Sequence, residues 1–180
     1  MNTQGLTLTK WALDAAHSEL KFKVRHMMIT NVTGSFNEIS ASVESSDDLS
    51  EARIEFTAKT ASIDTANEQR DGHLKSADFF DAEKYPEIKF VSTKMEKRSG
   101  NEYALHGKLT IRDVTKDIVL DVEHGGINKD PWGNLKNGFS INGKINRKDF
   151  GLNWNAALET GGVLVSEEVK ISGEIQLAKA

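Results

Sequence analysis

Apolar and polar side chains alternate along most of this chain, and that period of two limits the fold more than any other feature. Leu20, Phe22 and Val24 interleave with Glu19, Lys21, Lys23 and Arg25, and His26 and Met28 continue the apolar register. Successive side chains of an extended strand point to opposite faces, so such a segment has one dry face and one wet face. The pattern returns at Ala52, Ile54, Phe56 and Ala58, then in segments 88–95, 103–111, 118–122, 139–145 and 169–177. In 35–44 the apolar positions run Phe36, then Ile39, Ala41 and Val43, a slip that a bulge at Asn37-Glu38 explains. Turns are expected at 31–34, 45–50, 99–101 and 113–116, with longer connections at 125–137 and 148–162.

These segments make eight strands. Strands buried on both faces would read as unbroken apolar runs, and these do not. The expectation is a mainly β chain, one domain over residues 1–180, with an antiparallel sheet that closes into a barrel or splits into a sandwich. Closure removes exposed edges. An eight-stranded barrel either fills itself or holds one small ligand. The inward register supplies the candidate lumen: Phe22, Val24, His26, Phe36, Phe56, Phe90, Leu109, Ile111, Phe139 and Ile141. Three strands carry an inward glycine between apolar neighbours, at Gly107, Gly143 and Gly173. Such glycines either let strands coil at barrel corners or leave room for a ligand.

One long stretch, 61–90, interrupts the alternation. Glu68 to Lys75 has room for two helical turns with Asn67 as N-cap, and Pro86 ends the excursion by forcing extended geometry before it. A short helical excursion near residues 67–80 therefore closes one end of the sheet structure. The polar residues around it nominate a mouth. Arginine forks suit an anionic head group, and Arg70, Arg112 and Arg147 are candidates with His17, His26 and Asn67. The alternative is that Arg70 and Arg147 pair with Asp64, Asp71 or Asp149 and pin loops.

Composition narrows the functions. Net charge is -4 with both signs interleaved, which argues against non-specific nucleic-acid binding. There is no cysteine, so disulfides, thiol catalysis and cysteine-held metals are excluded. No stretch approaches the ~20 apolar residues that span a bilayer, and no leader-like segment opens the chain. Location as written is cytoplasmic, or periplasmic if a leader has been cut away. No nucleophile motif, HExxH or P-loop spacing appears, and no cofactor is expected. The five histidines are scattered; His106 falls in the outward, solvated register, and His17 and His26 either meet across a strand end as metal ligands or form a hydrogen-bonded pair. Trp11, Trp132 and Trp154 read as plugs of a barrel end or loop anchors.

Taken in order, a set of short motifs resembles the bacterial YceI-like family. They are Trp11-x-x-Asp14, Ala16-His17-Ser18, Val24-x-His26-Met27, Gly34-x-Phe36, Ile63-Asp64-Thr65, Asn67-x-x-Arg70-Asp71-x-His73-Leu74, Ser76-x-Asp78-Phe79 and Lys84-Tyr85-Pro86. Leu109-Thr110-Ile111-Arg112-x-Val114-Thr115-Lys116, Asn146-Arg147-x-Asp149-Phe150-Gly151 and Glu159-Thr160-Gly161-Gly162 follow. The resemblance implies a lipocalin-like antiparallel β-barrel that binds a long apolar molecule of polyisoprenoid, quinone or fatty-acid type. With the eight strands read above, the leading expectation is a non-catalytic carrier; the alternatives are an enzyme acting on such a lipid with His26 or His17 as base, and a stress-related interaction module whose lipid is incidental. A homodimer is a family habit. Many members are exported, and Gly72 departs from the expected helix former at a cost of roughly 1 kcal/mol of helix propensity.

Overall fold

The computed structural model describes residues 7–156, 158 and 164–180. Its elements, in chain order, are β1 (Thr9–Leu13), β2 (Glu19–His26), β3 (Thr30–Phe36), β4 (Ile39–Ser45), β5 (Ala52–Lys59), β6 (Ile63–Asp64), α1 (Glu68–Lys75), β7 (Glu87–Ser99), β8 (Glu102–Ile111), β9 (Val114–Lys129), β10 (Leu135–Asn146) and β11 (Glu168–Lys179). Pairing follows the order β1-β4-β5-β7-β8-β9-β10-β11, and β1 bonds back to β11, so the ring is closed.

Of the remaining strands, β2 and β3 complete two of the eight staves, and β6 bonds to β3 as a two-residue extension. β1 and β2 run one after the other along β11, opposite Leu177–Lys179 and Lys170–Glu174. They are separated by a 3-10 turn at Ala15–His17. β11 stays bonded across that gap: Asp14 N donates to Gln176 O at 2.8 Å and Gln176 N donates to Ser18 Oγ at 2.9 Å. β3 and β4 form the neighbouring stave and break at Asn37-Glu38, where the slipped register predicts a bulge. The result is a closed antiparallel barrel of eight staves with one short helix.

Several turns differ from expectation. The first hairpin turns at Met27-Met28-Ile29, and 31–34 belong to β3. Met27 and Met28 both take positive φ, 51° and 61°, the pattern of a type I′ turn that asparagine and glycine favour. Nothing in two methionines announces such a turn. β9 and β10 are long, and the loop between them shrinks to 130–134; Gly125, Gly126 and Gly138 mark a register shift inside the ladder. The β8–β9 turn is only Arg112-Asp113. Part of the 148–162 connection, with Glu159-Thr160-Gly161-Gly162, lies outside the described residues.

The helix forms where the cap predicts it. Asn67 Oδ1 accepts from Arg70 N at 2.9 Å. Thr60 ties the two ends of the excursion together, its N–H bonding Pro86 O at 2.9 Å and its hydroxyl bonding Tyr85 O at 2.8 Å. From this arch Phe80 packs edge-on against Phe36, with ring centroids 5.9 Å apart. None of the described helices is long and apolar enough to cross a membrane.

Candidate functional site

The barrel interior holds a cavity of about 360 Å³, within the usual range for a small-molecule site. All ten inward candidates line it: Phe22, Val24, His26, Phe36, Phe56, Phe90, Leu109, Ile111, Phe139 and Ile141. Several of them, including Phe22, Val24, Phe56, Phe139 and Ile141, point inward and yet are only half-buried. Inward side chains that keep accessible surface border empty space.

The inward glycines are spoken for by the wall. A Cβ on Gly107 would overlap the Phe90 ring, and one on Gly143 would overlap Leu120. At Gly173 a Cβ would press on Glu19 O at 3.3 Å. The missing side chains at Gly107 and Gly143 thus make room for Phe90 and Leu120, whereas Gly173 itself lines the cavity.

One end is sealed. Lining residues there are almost fully covered, Leu49 at 4% and Leu177 at 2% exposure, with Trp11 and Val43 packed against Leu177. At the other end the lining includes Arg70, which is exposed, and His73, whose side chain is 38% exposed. The cavity opens there, beneath α1, the β2–β3 turn and the segment after β10.

Of the six head-group candidates, the structure brings three to the opening: His26, Arg70 and Arg147. Arg147 is 3% exposed and gives four of its five N–H groups to backbone carbonyls. Its partners are Ser166 O (2.8 Å), Leu152 O (2.7 Å), Trp154 O (2.8 Å) and Val165 O (3.2 Å). Burial pushes its pKa down, partly countered by Glu167. It pins the rim segments, through carbonyls and not through Asp149.

Arg70 is different. Its Nε donates to Thr65 Oγ1 and its Nη2 to Thr65 O, both at 2.7 Å. Asp71 holds Thr65 in turn, accepting from the Thr65 N–H at 2.9 Å and from its hydroxyl. This fixes the guanidinium plane while Nη1 makes no hydrogen bond among the described residues.

The other three candidates lie elsewhere. Asn67 spends its carbonyl on the helix cap. Arg112 sits on the outer rim, 5.8 Å from the Tyr85 ring centroid and 3.5 Å from Gly151 O. His17 stands on the outer wall at the stave break, 2.9 Å from Asp14. His17 and His26 flank opposite ends of β2, about 25 Å of strand, so they neither meet nor form a pair. Among the described residues no cluster of three or more His, Asp or Glu side chains is arranged to hold a metal.

Sequence reasoning missed the aromatic gate of the opening. His73 Nε2 lies 2.9 Å from Asp78 Oδ2 and meets the rings of Trp154 and Phe79 edge-on, at 4.7 and 5.1 Å. The signal was present in the spacing of His73, Asp78 and Phe79 around one helix end; only Trp154, from a distant loop, was beyond reach. Trp11 plugs the sealed end as expected, whereas Trp132 projects into solvent at 83% exposure and plugs nothing. His106, placed on the wet face, is half-buried with Nε2 unpartnered.

Comparison with known proteins matches this geometry. A UPF0312 protein of Staphylococcus aureus (strain MSSA476) is 38% identical over 173 residues, which cover 95% of this chain and 98% of that protein. The crystal structure of a Campylobacter jejuni YceI protein is similar with a TM-score of 0.76 at 38% identity, covering 93% of this chain and 96% of its own. At fold level only, Burkholderia cenocepacia BcnA gives a TM-score of 0.80 at 24% identity, covering 91% of this chain and 98% of its own. A polyisoprenoid-binding domain from Saccharophagus degradans, implicated in plant cell wall breakdown, gives 0.65 at 16%, covering 97% and 100%. The YceI-like domain model matches residues 11–177, from Trp11 in β1 to Leu177 in β11, and the chain belongs to the YceI-like family.

Proposed function

We propose that this protein binds and carries, without catalysis, a long-chain lipid of polyprenyl or isoprenoid-quinone type. The observation that carries the proposal is a hollow barrel lined by apolar side chains that opens beside one exposed guanidinium, Arg70. Each buried methylene contributes about 0.8 kcal/mol, so part of a prenyl chain supplies ample affinity. Selectivity then falls to the polar end, where Arg70 offers two or more free N–H groups to a phosphate or quinone oxygen. The likeness to a polyisoprenoid-binding domain supports the same class of cargo.

Delipidated protein incubated with a polyprenyl phosphate, the matching polyprenyl alcohol and a long-chain fatty acid tests this. Native mass spectrometry should give near one prenyl lipid per chain. Arg70→Ala should weaken the phosphate roughly tenfold and leave the alcohol unchanged. No uptake of any prenyl lipid would contradict the proposal.

A further inference from the structure

We infer that the β2–β3 hairpin tip docks this barrel, mouth first, on a membrane surface rich in anionic lipid. Met27, Met28 and Ile29 are 43%, 57% and 70% exposed, three consecutive apolar side chains at the end where the cavity opens. His26, the residue before them, lines that cavity.

Two features make the tip costly to keep for folding alone. Met27 and Met28 occupy left-handed backbone, with no glycine or asparagine to ease it. Met28 and Ile29 also keep more than half of their surface in water.

Charge selects the partner. Below the tip, on the outer wall, Lys23 faces Lys170 and Lys170 faces Lys144 across three adjacent strands. Like charges directly opposite one another destabilise a sheet. All three are exposed; among the described residues Lys23 and Lys170 form no ion pair, and Lys144 reaches Glu168 only at 4.0 Å. Glu167, the next carboxylate, is taken by Lys148 at 2.9 Å. Arg25 stands between the row and the tip, its Nε bonded to Met28 O at 3.3 Å. A chain of net charge -4 has gathered cations beside its apolar tip.

Lys23 lies four residues, about 13 Å, from Met27 along the strand. A tip sunk ~5–10 Å into the acyl boundary places the lysine row against phosphates. The mouth then meets the bilayer, where an apolar cargo can pass without crossing water.

The test is flotation of the purified protein with vesicles of phosphatidylcholine alone and with phosphatidylglycerol added. Wild type should float with the anionic vesicles, at least tenfold less with neutral ones, and lose binding as salt rises. Met27→Asn with Met28→Gly writes the turn the backbone already adopts. That variant should melt no lower than wild type, keep lipid uptake in native mass spectrometry, and lose vesicle binding. Lys170→Glu should weaken anionic binding severalfold with the tip intact. Wild type that ignores anionic vesicles overturns the inference, as does a turn variant that binds like wild type. Self-association removed by the turn variant, without vesicle binding, would assign the tip to a second copy and overturn it too. Lipid uptake is read separately, so failure of docking and failure of the carrier proposal are distinguishable.

Discussion

At the sealed end of the barrel, buried polar groups are mostly answered and the lining is covered; at the mouth, answered buried groups such as Arg147 stand beside exposed ones such as Arg70. Asn137 is fully buried and takes His124 Nε2 at 2.6 Å, while the His124 ring stacks on Phe139 with centroids 4.8 Å apart. Ser46, Asp48 and Ser50 close the 45–50 loop on themselves, which holds the Asp48 carboxyl down to about 2 and lets Leu49 plug the lumen. Trp11 Nε1 is the exception, buried with no partner. The mouth, by contrast, is covered by a helix with no fully buried residue, a turn with two strained methionines and an arginine with free donors. Binding surfaces and moving elements are commonly drawn from the less stable parts of a fold, and the proposed binding role rests on this end of the barrel.

Breaking the sealed end should cost most. Trp11→Ala empties a large buried volume and should lose about 3–5 kcal/mol in urea unfolding. A similar truncation at the gate, Trp154→Ala, should lose clearly less and instead speed release of bound lipid. The wall between the ends comes next. Gly107→Ala forces a methyl into the Phe90 ring and the Val91 carbonyl, and should cost about 1–3 kcal/mol with reduced lipid capacity.

Gly72→Ala acts in the opposite direction. A Cβ there meets nothing within 4 Å, so α1 should gain about 0.5–1 kcal/mol, read as slower amide exchange over 68–75 and slower lipid exchange.

The smallest effect is electrostatic and belongs to the stave break. The hydrogen bond from Lys136, 2.9 Å away, is the main reason the Asp14 pKa falls from 3.8 to about 2, with His17 adding to it. A carboxyl with a depressed pKa contributes stability that is complete above its unfolded value and fades as pH falls toward its folded value. Its contribution should vanish between about pH 4 and pH 2. Lys136→Met should raise the Asp14 titration midpoint, seen by NMR, and move the acid limb of the stability curve up.

The same contrast governs what the sequence could tell. The staves were legible because each buries one face, and α1 because Asn67 caps it and Pro86 stops the excursion. The hairpin at Met27-Met28 was invisible because it lacks the residues that ease positive φ, so the turn was expected at the better-signalled 31–34. The 125–137 stretch read as loop since its glycines look like a turn, whereas they serve a bulge within two long strands. In the site, the lumen followed from strand register alone. The rim did not: Arg70 and Arg147 have the same chemistry, and only the fold decides that one is spent on carbonyls and the other, held by Thr65, keeps its Nη1 donors open among the described residues. His17 was misassigned for a related reason, since a stave that breaks and resumes along the same neighbour places it at mid-wall.

The most direct test of the binding role is native mass spectrometry of freshly purified protein, then solvent extraction and identification of whatever is released. A prenyl species at near one per chain, lost on extraction and restored by adding the lipid back, is the predicted result. Protein that is clean when purified and stays clean after incubation with prenyl and acyl lipids would contradict it.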